Sequence, residues 1–552
     1  MIARRGEAAT AAPDRPLRIF FSLLHHGYLR HYAEPIRLLA ERGHRVHVAL
    51  GRPEKDPGDA LLLERLAATQ PRVTYDLAPK RPRWDGWRRL AWLVRALTDL
   101  SRYGDPHFAA APALRRRIAD KLHWRIDYSR VPALLKPALH RAVDRQATGA
   151  DAARARRNIR RLARLEAAIP VSRRVTRYVA GQAPDVVLAS PVIEFASSQV
   201  EFLKSARALG IPTGICVASW DNLTAKGLLR FVPERAFVWN EIQRRELEEL
   251  HGIPPDRVVL TGAQRFDEWF ARSPSSTPRE LALKAGLDPD RPYVLYLCSS
   301  PFIAPNEVDF VRRWGRAVRA ASSAELREIG LLVRPHPQNA AQWRDADLSE
   351  LGNVAVWPRE GAQPDAGEAR ADYFDSLAHS ACIVGINTSG LIEAGIVGKS
   401  VLTVLDPDFA ATQEGTLHFH YLRWENGGLL RVARDLDEHV AQLAEAVAQG
   451  EAGSAQVARF VERFCRPHGL DRAAAPILAD AIEELGALGP LRCPRPAPST
   501  LLQRALLYPL AAAMTAVSAL LDGLRWLRKR ALGAGGRLRT GRLRRAPAGS
   551  SG

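Results

Sequence analysis

The chain has 552 residues, 46% apolar and 25% charged, with a net charge of +19. That length is too great for one ordinary core, and the composition is globular, so two or more domains are expected. The five cysteines (Cys216, Cys298, Cys382, Cys465 and Cys493) show no CxxC pair and no metal-ligand spacing, which argues against a disulfide framework and for a reducing compartment.

Arginine supplies nearly all of the positive charge. A solvated Arg-rich surface accounts for it, as do an anionic membrane face or anionic substrates. Nucleic acid fits poorly: there is no zinc-finger spacing, no RNP-like aromatic motif and no basic heptad region. Residues 1–16 carry charge with no apolar core behind it, so no signal peptide is expected.

Residues 17–24 form an apolar run that reads as a buried strand. A loop with His25, His26 and Gly27 follows, then a helix with Ile36, Leu38 and Leu39 on its apolar side, closed by Gly43. A second strand covers 46–50. Strand, helix, strand over about 35 residues is a βαβ unit and implies a parallel sheet.

From about 80 to 175 the pattern turns helical and rich in Arg and Trp, as in WDGWRRLAWLVRALTDL, and reads as an insertion in the first domain. Trp84, Trp87 and Trp92 each lie within a turn of an arginine (Arg83, Arg88, Arg95). That pattern suits lipid head groups, but packing against the domain explains it better.

The α/β alternation resumes with strands at 185–190, 212–219, 234–240 and from 257. A polar, Pro-rich linker spans 271–280, and a second series follows: strands at 293–300, 329–337, 353–358, 381–387 and 400–406, with helices at about 307–320 and 388–398. Two consecutive α/β halves imply two Rossmann-like domains facing a cleft, with ligands at the carboxyl ends of the strands. The domains are expected at 16–270, with the insertion at about 80–175, and at 285–485, followed by a tail at 495–552. The tail has about 17 mostly apolar residues (505–521) broken by Pro509, and a basic RLRTGRLRR flank. This is short for a membrane span, so an amphipathic or shallowly inserted helix is one reading and a helix packed back on the fold the other.

Polar residues gather where strands of the second half end: Ser299 and Ser300, then Arg334 and His336, then Asn387, Thr388 and Ser389. In INTSGLIEAG a strand runs into a helix. The hydroxyls of Thr388 and Ser389 and the free N–H groups of that helix start would suit an anion, with Gly390 allowing close approach. An ordinary Ser/Thr N-cap explains the same residues. Glu393, one turn on, could accept from a ribose or simply be a first-turn acid. Gly398-Lys399-Ser400 is not a P-loop, since Glu393 occupies the required glycine position and the segment ends a helix. In GTLHFHYL, read as extended, His418 and His420 share a side. With no carboxylate or cysteine partner a metal is not expected, and His418 is instead a candidate contact to a diphosphate or sugar.

With these halves and motifs, the chain resembles the GT-B glycosyltransferase superfamily, and within it bacterial capsule and surface-polysaccharide transferases and glycerophosphotransferase-like enzymes, alongside the related UDP-N-acetylglucosamine 2-epimerases. The resemblance spans about 16–485 and is strongest over 290–425. It implies that His336, Thr388 and Ser389 hold the donor's phosphates and that Glu393 meets the ribose. The epimerase branch would carry a GTRPE-like stretch after the first strand, where this chain reads SLLHHGYLRHYAEP. The segments SWDNLTAKG (219–227) and TGAQRFD (261–267) fall where this superfamily turns into the cleft, which puts Asp221, Asn222 and Lys226 deep but without assigned roles.

The resemblance further implies no cofactor and no metal, with the nucleotide-activated donor as substrate. A base in the first domain would deprotonate the acceptor hydroxyl, and His25, His26 and Glu194 are its candidates. The expected function is transfer of a sugar or polyol phosphate to a lipid-linked or surface-glycan acceptor. The enzyme would work on the cytoplasmic side, docked on an anionic membrane face by the insertion and tail. The alternatives are a nucleotide-sugar 2-epimerase and a non-catalytic GT-B-like binding module.

Overall fold

The computed structural model describes residues 15–540 apart from 54–56, 129–133, 135, 148–150, 364–366 and 451–454, with side chains to residue 521 outside the segments at 54–59 and those gaps. The first sheet has seven parallel strands: β1 (Arg18–Leu23), β2 (Arg45–Leu50), β3 (Val73–Leu77), β4 (Val186–Ser190), β5 (Thr213–Cys216), β6 (Arg235–Val238) and β7 (Val258–Leu260), in the order β3-β2-β1-β4-β5-β6-β7. The second has six: β8 (Tyr293–Leu297), β9 (Gly330–Arg334), β10 (Val354–Val356), β11 (Cys382–Gly385), β12 (Val401–Val404) and β13 (Leu430–Ala433), in the order β10-β9-β8-β11-β12-β13. Both follow the doubly wound order 3-2-1-4-5-6, so each half is Rossmann-like and the pair forms the GT-B fold.

Burial explains why most strands read clearly. β1, β4, β8, β9 and β11 are apolar and almost wholly buried, as strands covered by helices on both faces must be. β3 and β13 escape a reading by apolar runs. β3 is an edge strand exposed beyond Val73, and only Leu430 and Ala433 of β13 are buried. In the register, Leu23 lies opposite both Leu50 and Ser190, and Leu297 opposite both Arg334 and Gly385. Each sheet therefore ends its central strands at one level, and the loops that follow share one edge.

The chain crosses back at its end. Helix Ala474–Ala487, expected within the second domain, sends Leu478, Ile482 and Leu485 into the first-domain core beside Leu17, Ile36 and Phe237. Asp480 pairs with Arg42 at 2.7 Å, and Glu483 with His44 at 2.8 Å.

The insertion comprises helices Arg88–Arg102, Pro112–Asp127, Lys136–Ala147 and Ala152–Ala168. A buried charge network holds it to the first domain: Arg95 meets Glu166 at 2.9 Å and Glu201 at 2.6 Å, Arg81 meets Glu201 at 2.9 Å, and Lys204 meets Glu166 at 3.0 Å. Burial alone would raise the Glu166 pKa, but Arg95 and Lys204 hold it down to about 2. Arg95 is therefore no lipid contact. Trp87 packs on Tyr508 and Trp92 on Phe195, whereas Trp84 is 81% exposed.

The tail forms helix Pro498–Thr540 with Pro509 inside it. Its Leu507, Ala511 and Met514 pack on Trp87, Leu90, Val94 and Ile169 of the insertion, while Leu501, Leu502, Leu506, Leu510, Val517 and Leu520 are exposed. Over Pro498–Leu521 it is long and apolar enough to cross a membrane, which corrects the expectation that it is too short. The side chains of the RLRTGRLRR flank, like residues 1–14, lie outside the described residues.

Candidate functional site

On the first-domain side, β1 runs into His25, which precedes the short 3-10 helix His26–His31. The loop after β4 carries Glu194. Its Oε1 accepts from Lys226 Nζ at 2.6 Å, and the Tyr28 hydroxyl lies 3.5 Å away. Lys226 Nζ also donates to Tyr28 Oη at 3.3 Å. Burial would raise the Glu194 pKa, but the Lys226 ammonium holds it below the usual carboxylate range. Lys226 itself rises above the ordinary lysine value: burial opposes this, but Tyr28, Glu194 and Asp221 outweigh it. Burial pushes the Tyr28 phenol up to about 12. The cluster is therefore a carboxylate, an ammonium and a neutral phenol at neutral pH.

Two loops meet here, and the insertion holds both. Asp99 accepts the Ala196 N–H at 2.7 Å and the Leu228 N–H at 2.8 Å, and pairs with Arg230. Arg102 donates to the carbonyls of Lys226 at 2.7 Å, Gly227 at 2.8 Å and Leu223, and the Tyr103 hydroxyl reaches Lys226 O at 2.7 Å. The Glu194 loop is strained, with Val192 at φ 61° and Ala196 at φ 51°. Such backbone persists only where surrounding bonds over-determine it. Gln199 contributes, taking the Val192 N–H at 3.2 Å and donating to the Ser190 carbonyl at 2.8 Å.

On the second-domain side, Arg334 ends β9, but its guanidinium turns into the fold. It lies 5.1 Å from each of the Trp357 and Tyr373 ring centres, and Nη1 donates to Ser376 Oγ at 3.0 Å. Nη2 is buried without a partner, and burial lowers the pKa to about 10. The arginine is thus packed between rings rather than laid open at the sheet edge. His336 Nδ1 accepts the Gln338 N–H at 3.1 Å, and burial lowers its pKa to about 4. A neutral ring that accepts at Nδ1 carries its proton on Nε2, so Nε2–H is its donor.

The remaining expected residues follow. Ser299 is fully buried; its N–H donates to the Glu307 carboxyl at 2.9 Å and its Oγ faces the Asn387 N–H at 3.5 Å. It braces the loop internally, which corrects its placement as a ligand contact. Ser300 is half-buried, and its carbonyl accepts from Ile303 and Ala304. Thr388 is half-buried just before helix Gly390–Ile396. Ser389 makes no capping bond there, so the ordinary N-cap explanation fails; its Oγ accepts from Trp220 Nε1 at 3.0 Å instead. Gly390 does serve a close approach, but to protein: a Cβ there would sit 2.8 Å from both Leu297 Cδ1 and Tyr373 Oη. Glu393 is neither exposed nor a plain helix-start acid, since Tyr373 donates to it at 2.6 Å and Arg265 at 3.3 Å. His418 is buried at the head of the one-turn helix Phe419–Leu422, so that segment is not extended. Its Nδ1 lies 3.1 Å from Thr224 Oγ1, and its ring meets Trp220 edge-on at 4.7 Å. His420 points elsewhere, to the Glu414 carbonyl at 2.8 Å.

Three of the contacts between the halves lie at this site: Trp220 with Ser389, Thr224 with His418, and Arg265 with Glu393. All three first-domain partners come from SWDNLTAKG and TGAQRFD. Asp221 stays ionised, because Lys226 and His418 outweigh the effect of its burial. His31, half-buried on the 3-10 helix with its Nδ1 unpartnered, is kept neutral by burial and by Arg265, Arg30 and Lys226. Reading the sequence by strand ends misses Tyr28, His31, Arg265 and Tyr373, which sit on helices and turns. It also misses Asp99 and Arg102, although Arg95, Thr98, Asp99 and Arg102 form a polar stripe at helical spacing that is wholly buried. Among the described residues no group of three or more His, Cys, Asp or Glu is placed to hold a metal ion.

No protein-family model matches this chain, and no curated protein does. Solved structures with which it aligns include a putative UDP-N-acetylglucosamine 2-epimerase from Listeria monocytogenes, at 12% identity over 87% of this chain and 99% of that one, with a TM-score of 0.46. The UDP-GlcNAc 2-epimerase from Methanocaldococcus jannaschii, solved with UDP-GlcNAc and UDP, aligns at 12% over 85% and 99%, with a TM-score of 0.43. A glycosyltransferase from Rickettsia africae ESF-5 aligns at 8% over 90% and 99%, with a TM-score of 0.42.

Proposed function

We propose that the protein is a GT-B glycosyltransferase that moves a sugar or polyol phosphate from a nucleotide-activated donor to a lipid-linked or cell-surface glycan acceptor. The observation that carries this reading is the seam itself. Two doubly wound sheets present their carboxyl-end loops to one another, and a charged cluster lies on the first-domain side of the contacts.

In this reading the second domain holds the donor, with neutral His336 giving Nε2–H to a phosphate oxygen and Thr388 giving its hydroxyl. Ser389 and Glu393 meet the donor only if Trp220 and Arg265 yield, which couples donor entry to opening of the seam. The acceptor hydroxyl binds at Glu194 and loses its proton as its oxygen bonds the transferred group; the nucleotide departs with the bonding electrons. Lys226 weakens Glu194 as a base while fixing its orientation. His25 and His26, on the neighbouring loop, are the other candidates for that proton. The row of outward leucines on the tail helix would seat the enzyme on an anionic membrane face.

A thermal-shift screen against UDP-, CDP-, CMP- and GDP-linked donors tests this. A donor present at a hundred times its Kd stabilises by about 2.7 kcal/mol, and His336→Ala should abolish that shift. If no nucleotide raises the melting temperature, the proposal fails. Turnover of a UDP-sugar without any acceptor would favour the epimerase chemistry instead.

A further inference from the structure

Helix Pro112–Asp127 of the insertion faces the second domain across a cavity of about 320 Å³. Its wall includes Arg116, Arg117, Asp120 and Lys121 from that helix, Phe302 from the loop after β8 and Ala411 from the loop after β12. The Arg117 guanidinium lies over the Phe302 ring, 4.2 Å from its centre. The Lys121 ammonium lies 5.7 Å from the ring of Phe195, the neighbour of Glu194. Among the described residues Arg116, Arg117 and Lys121 are in no ion pair, whereas Lys226, Arg230 and Arg265 each have one. Three cations therefore face one acid across a space that both halves enclose. Burial, and then Arg117, lower the Lys121 pKa, against the opposing pull of Glu194.

The place of the cavity decides what it takes. None of the residues expected to hold the donor (His336, Thr388, Ser389) lines it. Lys121 instead adjoins the Glu194–Lys226 cluster, where its charge acts on Glu194. A rigid guanidinium fork beside a mobile ammonium suits phosphate oxygens. Accepting the transferase reading above, we propose that this cavity binds a phosphate or diphosphate carried by the acceptor, with Arg117 and Lys121 as its main contacts.

Inorganic pyrophosphate is the probe, titrated calorimetrically into the full chain. Wild type should bind it, and Arg117→Gln/Lys121→Gln should weaken binding about tenfold or more, the effect of losing one charge-assisted hydrogen bond. Asp120→Asn, which removes the only acid among the described residues of the wall, should tighten it and gives a second reading should the double variant fail to fold. Binding should survive in His336→Ala and be undisturbed by a saturating nucleoside diphosphate. Absence of binding, equal affinity in the Arg117/Lys121 variant, unchanged or weaker binding in Asp120→Asn, or displacement by the nucleotide would each overturn the proposal; the last would assign the phosphate to the donor. Failure of the transferase reading shows separately, as a protein that no nucleotide stabilises.

Discussion

Asp99 accepts the backbone N–H of Ala196 at 2.7 Å, so a residue of the helical insertion fixes the strained loop that carries Glu194. The same carboxylate takes Leu228 N–H and Arg230, which ties down the loop carrying Lys226. The insertion is thus part of the site's frame rather than an appendage. Asp99→Ala would leave Arg230 buried without its partner and two N–H groups unmet. Breaking a buried pair in this way costs about 3–5 kcal/mol. Chemical denaturation should show a loss of that size. Asp99→Asn keeps one acceptor oxygen but loses the other and the charge, and should lie between. A loss below about 1 kcal/mol for Asp99→Ala would show that the frame does not depend on it.

The ion pair between Glu194 and Lys226 makes a prediction about pH. The ammonium holds the carboxyl below its usual range, against the opposing effect of burial. Lys226→Met removes the largest of the influences that hold it down, so the Glu194 pKa should rise. If Glu194 acts as a base, the acid limb of the kcat/KM profile should move to higher pH in Lys226→Met, while Glu194→Gln lowers the rate by roughly 100-fold or more at every pH. An acid limb that stays put in Lys226→Met assigns the proton to another group, with His25 and His26 next to be tested.

Stability should depend on pH through buried histidines. Burial lowers His418 and His439 to about 4, against roughly 6.5 when unfolded. His336 is lowered to about 4 likewise, and His31 and His251 are lowered well below 6.5. Between these values the unfolded chain binds more protons, so stability is full above about pH 6.5 and drains as pH falls toward 4. Each of His418 and His439 contributes up to about 3 kcal/mol across that window. Glu246 and Glu307, each pushed up to about 8 by burial, work the other way between about pH 4.5 and 8. Five histidines outweigh two carboxyls, so the denaturation midpoint should fall from pH 7 to pH 5, with net proton uptake on unfolding. A midpoint that rises over that interval would contradict these environments.

Much of this architecture was legible in the sequence, because parallel strands buried on both faces are continuous apolar runs. β1, β4, β8, β9 and β11 stand out for that reason, and their ends place His26, Glu194, Ser299, His336 and Ser389 at sheet edges. β3 and β13 do not stand out, since the edge position of β3 leaves most of its side chains in water and Arg431 interrupts the short apolar run of β13. Pairings across the seam have no local signal: nothing in SWDN or NTSG specifies that Trp220 donates to Ser389. Arg334 misled for a related reason, because a strand-end arginine looks the same in sequence whether it meets an anion or lies between Trp357 and Tyr373. The stripe of Arg95, Asp99 and Arg102 resembles a solvated helix face, and only the opposing Glu166, Glu201 and Leu223 carbonyl make it an interior one.

The tail helix divides its apolar residues between two jobs, and this separates packing from membrane docking. Leu507, Ala511 and Met514 face the insertion, so truncating the tail would uncover Trp87 and Leu90 and confuse instability with loss of docking. Leu501, Leu502, Leu506 and Leu510 face outward and make no part of that core. Replacing these four by Gln should leave the melting temperature within about 2 °C, since exposed sites contribute within about ±0.5 kcal/mol each. Each leucine removed forfeits roughly 1.5–3 kcal/mol of burial if it enters the bilayer interface. Flotation with anionic vesicles should then show the wild type bound and the four-Gln variant free. Equal flotation of both would exclude this face as the anchor, and a large drop in melting temperature would mean that these leucines pack against protein after all.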